Sequence, residues 1–482
     1  MKAFLKLYYL QIILTLFLSI YCVIDEGNIY VPLISNFTLE HSEHRINNKN
    51  YYTIPLYIGT PEEEYNVQVD TSTSTSWIPS SRCQNCILAH RLYEEEYSRT
   101  SSPTDKLLKI EDEDGNVEGY EISDNIQLGG YKLKQYSFVQ VTKVADDFRD
   151  HYQGKLGLGY KSHYIKDQEF NFLEKLKKNN LIKKKIFTIN AINEKKGMLF
   201  IGDLPGKEYN TYCNVTTDID DLDDMYKESW ICHLSHIGVF DTEKGIFNNI
   251  KYYEELEHND LVNFDSAYDY IGVPISEKEI IEKLIKKANL KCETRGNIKM
   301  EKMPKDLKLK KLKNRIREEE ISILCETNIE ELRMKSIALS FVLQGYVYSL
   351  PLDLLFINSH EKGKMEMLIR YIDDDDAIWT LGYPFMNQFL TIFNMEDSHV
   401  GIKKLKKTAL PIISIYKDWE HWYLRKEGLE SASKVAAVIV LIIIVIVIVF
   451  LVYRYIRRIN LEKKGPTQDL ENDDDNDNRK VY

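Results

Sequence analysis

Two aspartates far apart in this chain sit in the same local setting, and that repetition constrains the fold more than any other feature of the sequence. The first lies in Val67-Gln-Val-Asp70-Thr71-Ser72-Thr73-Ser74-Thr75-Ser76-Trp77-Ile78-Pro79. The second lies in Leu261-Val-Asn-Phe-Asp265-Ser266-Ala267, which closes with Ile271-Gly272-Val273-Pro274. Each ends an apolar run of β type and is followed by a hydroxyl residue. That arrangement suits an acid displayed on a tight loop, with the next hydroxyl bonded to backbone nearby. A lone Asp-Thr-Ser turn is usually only a turn; the copy in each half of the chain is what singles these two aspartates out.

The flanking sequence agrees. Tyr52 to Ile58 and Tyr65 to Val69 read as two strands joined by a Gly-Thr-Pro turn, and Ile122 to Leu128, Gly129-Gly130 and Leu133 to Val139 as two more about a second turn. Helical periodicity is confined to short stretches such as Asn171 to Asn180 and Glu277 to Leu290. The expected class is mostly β with short helices.

Both ends of the chain carry apolar runs of a different kind. Met1-Lys2 followed by an apolar stretch to Ile20 has the build of a secretory signal peptide, assigned to residues 1–22. Val435 to Val452 contains no charged residue and is long enough to cross a bilayer, giving a transmembrane helix at 435–453. Arg454, Arg457 and Arg458 follow it and mark the cytoplasmic side. The expected protein is therefore a type I single-pass membrane protein of the secretory pathway or cell surface, its ectodomain lumenal or extracellular. Between the ends we expect a short segment at 23–50, an N-terminal β lobe at 51–210, a C-terminal β lobe at 211–405 and a juxtamembrane stem at 406–434. The tail at 454–482, with Glu471, Asp473, Asp474, Asp475 and Asp477, is acidic and reads as a solubilising extension. Asn36-Phe-Thr38 and Asn214-Val-Thr216 are glycosylation acceptors available on the translocated side.

The net charge of −11 argues against a nucleic-acid partner. Of seven cysteines, Cys22 falls at the edge of the signal, leaving Cys83, Cys86, Cys213, Cys232, Cys292 and Cys325. An even number in an oxidising compartment reads as three disulfides. Cys83 and Cys86, in Arg-Cys-Gln-Asn-Cys, also fit a redox pair or half a zinc site, but neither a helical context nor a second such pair accompanies them. No metal and no cofactor is expected.

From Tyr52 to Lys404 the chain resembles the pepsin-like aspartic proteases, a family with membrane-anchored, plasmepsin-like members. Asp70, Thr71, Trp77 and Pro79 keep the spacing of the first family motif. Ile58-Gly59-Thr60-Pro61 matches the turn that leads into it, and Gly154-Lys-Leu-Gly-Leu-Gly159 the family's glycine-rich element. Gly197-Met-Leu-Phe-Ile-Gly202, Trp230, Ala377-Ile-Trp379-Thr-Leu-Gly382, Phe385, Phe393 and Val400-Gly401 follow in the family's order. The resemblance implies a bilobal fold with Asp70 and Asp265 as a catalytic pair that shares one proton. The ionised member would activate water and the protonated one polarise a peptide carbonyl, a pairing for which this family is a standard worked example. It also implies that Thr71 and Ser266 brace the two loops, that the Thr73 hydroxyl orients Asp70, and that Cys292–Cys325 is the C-lobe disulfide. The remaining pairs are expected to be Cys83–Cys86 and Cys213–Cys232.

The sequence departs from the family at several of these points. Ser72 and Ala267 stand where the motifs carry glycine, and their β-carbons are expected to push apart or tilt the carboxylates. Tyr268 and Asp269 replace a hydroxyl pair, bringing a further carboxylate. The flap tyrosine is lost, with Asp112, Glu113, Asp114 and Gly115 at the hairpin tip. Tyr383 and Gln153 replace two aspartates that flank family motifs, and 299–320 is a charged insertion between Cys292 and Cys325. Two functions follow. The first is a membrane-anchored aspartic endopeptidase acting on protein or peptide substrates, put first because both carboxylates survive. The second is a degenerate relative that binds a protein partner without cutting it.

Overall fold

A computed structural model of the chain describes residues 28–35, 52–84, 86, 91–110, 116–144, 153–160, 170–193, 196–202, 209, 211–216, 226–252, 260–295, 322–359, 361–372, 377–405 and 412–416. The signal segment, Asn36, the hairpin tip from Asp112 to Gly115, the 299–320 insertion, the stem, the apolar run at 435–453 and the tail lie outside the described residues. Among the described residues no helix is long and apolar enough to cross a membrane.

Alternation of apolar and polar residues builds strands that bury one face, as the period of two requires. Tyr52–Ile58 pairs antiparallel with Glu63–Asp70, with Gly59 in the turn at φ 89°, where a β-carbon would be strained. Val117–Leu128 pairs with Tyr131–Val144 through Gly129 and Gly130, both at positive φ. Helices are few and short. Phe172–Lys178 is started by Asn171, whose side chain accepts from the Glu174 amide at 3.1 Å, and it buries Phe172, Leu173 and Leu176. Lys278–Lys287 buries Ile280, Ile281 and Leu284.

The largest sheet among the described residues has thirteen strands and joins the two halves of the chain. Phe389–Asn394 and His399–Lys404, from the C-terminal half, continue it beyond Ile186–Asn193. The strand Asn28–Ser35 lies between Lys196–Gly202 and Tyr52–Ile58, with Ile29, Val31 and Leu33 almost fully buried. Three disulfides are formed, Cys83–Cys86, Cys213–Cys232 and Cys292–Cys325, and the last joins directly opposed residues of neighbouring strands.

One local pattern occurs in both halves. Glu63–Asp70 runs parallel to Lys155–Gly157, with Gln68 opposite Lys155, Val69 opposite Leu156 and Asp70 opposite Gly157. Leu261–Phe264 runs parallel to Trp379–Leu381, with Asn263 opposite Thr380 and Phe264 opposite Leu381, and Asp265 follows at once. Each aspartate thus stands at the end of a buried strand, beside a glycine on its neighbour. A β-carbon on Gly157 would come within 2.5 Å of the Ser74 backbone, and one on Gly382 within 2.2 Å of the Tyr268 carbonyl. Only glycine admits both loops at that range.

Candidate active site

The two aspartate loops are tied together through backbone. Thr71 Oγ1 donates to the Phe264 carbonyl at 2.8 Å and accepts from the Ser266 amide at 2.9 Å, while Ser266 Oγ donates to the Val69 carbonyl at 2.7 Å. Thr71 and Ser266 are completely buried. Both donors reach from one half of the chain to the other.

Each acid also receives an amide from its own loop. Asp70 Oδ1 accepts from Ser72 N, and Asp265 Oδ1 from Ala267 N, each at 2.8 Å. Both amide contacts form with Ser72 and Ala267 standing where the family motifs carry glycine. Ser72 adds its hydroxyl to Asp70 Oδ1 at 2.6 Å.

Thr73, whose hydroxyl was expected to orient Asp70, bonds elsewhere. Its Oγ1 donates to Glu228 Oε2 at 2.9 Å, and the same oxygen accepts from Ser74 N at 2.7 Å and Ser74 Oγ at 3.0 Å. Glu228 is 3% exposed, and a buried carboxylate draws in donors because charge-assisted bonds are the stronger ones. Ser229 Oγ donates to the Ser72 carbonyl at 3.1 Å, and Trp230 Nε1 to the Leu158 carbonyl at 2.8 Å. The segment Glu228–Trp230 thereby clasps the Asp70 loop, with Ser72 in the supporting role given to Thr73.

The decisive contact is one that sequence reasoning missed. Lys155 Nζ lies 3.0 Å from Asp70 Oδ2, with both side chains 1% exposed. Lys155 is the second residue of the glycine-rich element, and its strand register sets it two residues before the position opposite Asp70, close enough for the long stem to reach the acid. At the equivalent register in the other half stands Thr380, which carries no charge. The available signal was a lone lysine inside an otherwise apolar and glycine-rich run. Asp269, noted as a further carboxylate, is buried at 4% exposure. Tyr120 on the hairpin is 42% exposed. No cluster of His, Cys, Asp and Glu able to hold a metal occurs among the described residues.

The fold, the twin aspartate loops and their cross-brace agree with a match of the eukaryotic aspartyl protease family model to residues 51–405, and the chain belongs to that family. It is similar to Procardosin-A of Cynara cardunculus, 29% identical over 170 residues, 33% of each chain. It is 31% identical to Pregnancy-associated glycoprotein 1 of Sus scrofa over 156 residues, 31% of this chain and 40% of that one. Aspartic proteinase A1 of Arabidopsis thaliana is 30% identical over 190 residues, 35% of this chain and 36% of that one. These alignments span between a third and two fifths of the relatives' own lengths.

Proposed function

We propose that this chain is a membrane-anchored pepsin-like protein that binds a protein or peptide at its paired aspartates, on the lumenal or extracellular side, without hydrolysing it. The Lys155–Asp70 ion pair carries this reading. Hydrolysis by two carboxylates needs a proton held between them, so that one acts as base on water while the other acts as acid on the carbonyl. Lys155 sets a fixed positive charge 3.0 Å from one of those carboxylates. Ser72 N and Ser72 Oγ both donate to Asp70 Oδ1, and the Lys155 ammonium stands as an ion pair against Oδ2.

The location rests on the apolar runs at the two ends of the chain and on the three disulfides, which persist in oxidising compartments. Asn214 is exposed, as a glycosylated residue must be.

A second reading, an aspartic endopeptidase, draws support from the Thr71–Ser266 brace and from the Ala267 amide on Asp265. The full-length chain, purified in detergent and incubated with unfolded protein from acidic to neutral pH, separates the two. We expect no cleavage above background and no difference from the Asp70→Asn and Asp265→Asn variants. Acid-dependent cleavage abolished by each of those substitutions would establish the endopeptidase and overturn the proposal.

A further inference from the structure

Tyr212–Asn214 stands at one edge of the thirteen-stranded sheet, where it pairs with His399–Lys404. Tyr212 and Asn214 are exposed and Cys213 between them is buried, so the two share the outward face of the strand, about 7 Å apart at the usual strand rise. Asn214 lies opposite His399, and Tyr212 opposite Gly401, which brings no side chain to that face. Tyr209 takes the space: a β-carbon on Gly401 would come within 2.5 Å of its ring.

Three rings therefore meet beside Asn214. The Tyr212 and His399 ring centroids are 4.9 Å apart with 36° between the planes, and Tyr209 meets His399 edge-on at 5.3 Å. Hydrogen bonds fix the group. Tyr209 Oη accepts from Asn394 Nδ2 at 3.0 Å and is bonded to His399 Nε2, and Asn394 Nδ2 also donates to Asp397 Oδ2 at 2.9 Å. Tyr212 nevertheless keeps 37% of its surface in solvent, so the rings form a held platform with apolar area still open to water.

Asn214-Val215-Thr216 is a glycosylation acceptor, and its first residue borders this platform. The backbone there is held as well, with Asn214 N donating to Gln344 Oε1 at 2.9 Å. A pyranose has faces made of C–H groups, which pack favourably on the electron-rich face of an aromatic ring. We infer that Asn214 carries an N-linked glycan whose first sugar lies against Tyr212, with His399 and Tyr209 backing the ring. The bond forms between Asn214 Nδ2 and the anomeric carbon of a sugar supplied on a lipid diphosphate; the amide gives up a proton and the lipid diphosphate leaves. The inference rests on the lumenal or extracellular placement proposed above and not on what the paired aspartates do.

The test is enzymatic release of the glycan by peptide-N-glycosidase from the full-length chain, made in a secreting eukaryotic host and kept folded in detergent. Mass spectrometry of the peptide that contains Asn214 follows the release with time. The wild-type chain should carry a glycan at Asn214, and Tyr212→Ser should release it about three- to tenfold faster, the range that one ring contact supplies. Tyr212→Phe keeps the ring and should release it at the wild-type rate. Melting temperatures are read first, and should Tyr212→Ser fail to fold, Tyr212→Leu removes the ring while keeping bulk and should show the same acceleration. An unmodified Asn214, or equal release from the wild-type and ring-less chains, overturns the inference and leaves the proposed binding function standing.

Discussion

Replacing Lys155 by methionine keeps most of the buried stem and removes the ammonium from Asp70. At the 3.0 Å separation, and with an effective dielectric of about 20, two unit charges attract by about 5 kcal/mol. The net loss is smaller because each ion also had to be stripped of water, and breaking a buried pair by removing one partner costs about 3–5 kcal/mol. We expect a loss in that range at neutral pH. Urea unfolding followed by tryptophan fluorescence reads this out directly, since Trp77, Trp230 and Trp379 are fully buried. Asp70→Asn alone and combined with Lys155→Met completes a double-mutant cycle. A coupling energy below about 0.5 kcal/mol, the level at which distant sites add, would show that the ammonium and the acid do not interact and would refute the account of the site.

Thr71→Val removes the hydroxyl that joins the Phe264 carbonyl to the Ser266 amide and leaves both without it in a buried place. A loss of about 2–4 kcal/mol is expected in the same unfolding assay, and a loss under ~1 kcal/mol would mean that the brace is not a source of stability. His399 is held below the ordinary imidazole range chiefly by burial. Below its ordinary value the unfolded chain binds more protons than the folded one, so stability should fall as pH drops through that range and level off once the folded imidazole also protonates. His399→Phe should flatten this part of the stability profile, and an unchanged slope in melting experiments would assign the effect to another group.

Much of the site could be read from short patterns. The aspartate loops announce themselves because a β run, an acid and a hydroxyl fall in consecutive positions, and the hairpins at Gly59 and Gly129 because glycine in a turn is a local signal. The short helices followed from the spacing of Phe172, Leu173 and Leu176 and of Ile280, Ile281 and Leu284. What stayed hidden depends on contacts between distant segments. Nothing around Glu228 in sequence links it to Thr73 and Ser74, 155 and 154 residues away. Lys155 passed as one variation within a glycine-rich match, since only the parallel pairing of its strand with Glu63–Asp70 brings it to the acid. Thr73 was misplaced for the same reason, because a hydroxyl next to an acid in sequence bonds to whichever acceptor the rest of the chain provides.

The amide contacts at Asp70 and Asp265 bear on how a lineage of such proteins would change. Each acid receives the backbone of its own loop, and those loops are the seam along which the two halves are stitched. A mutation to a side chain without an acceptor oxygen would strip a buried amide of its partner and loosen that seam. Selection for a foldable chain therefore acts on an acceptor oxygen at each place, whatever chemistry the acids perform. Survival of the pair in a descendant records the architecture it inherited, and its trade must be judged from the neighbours that gather around the acids.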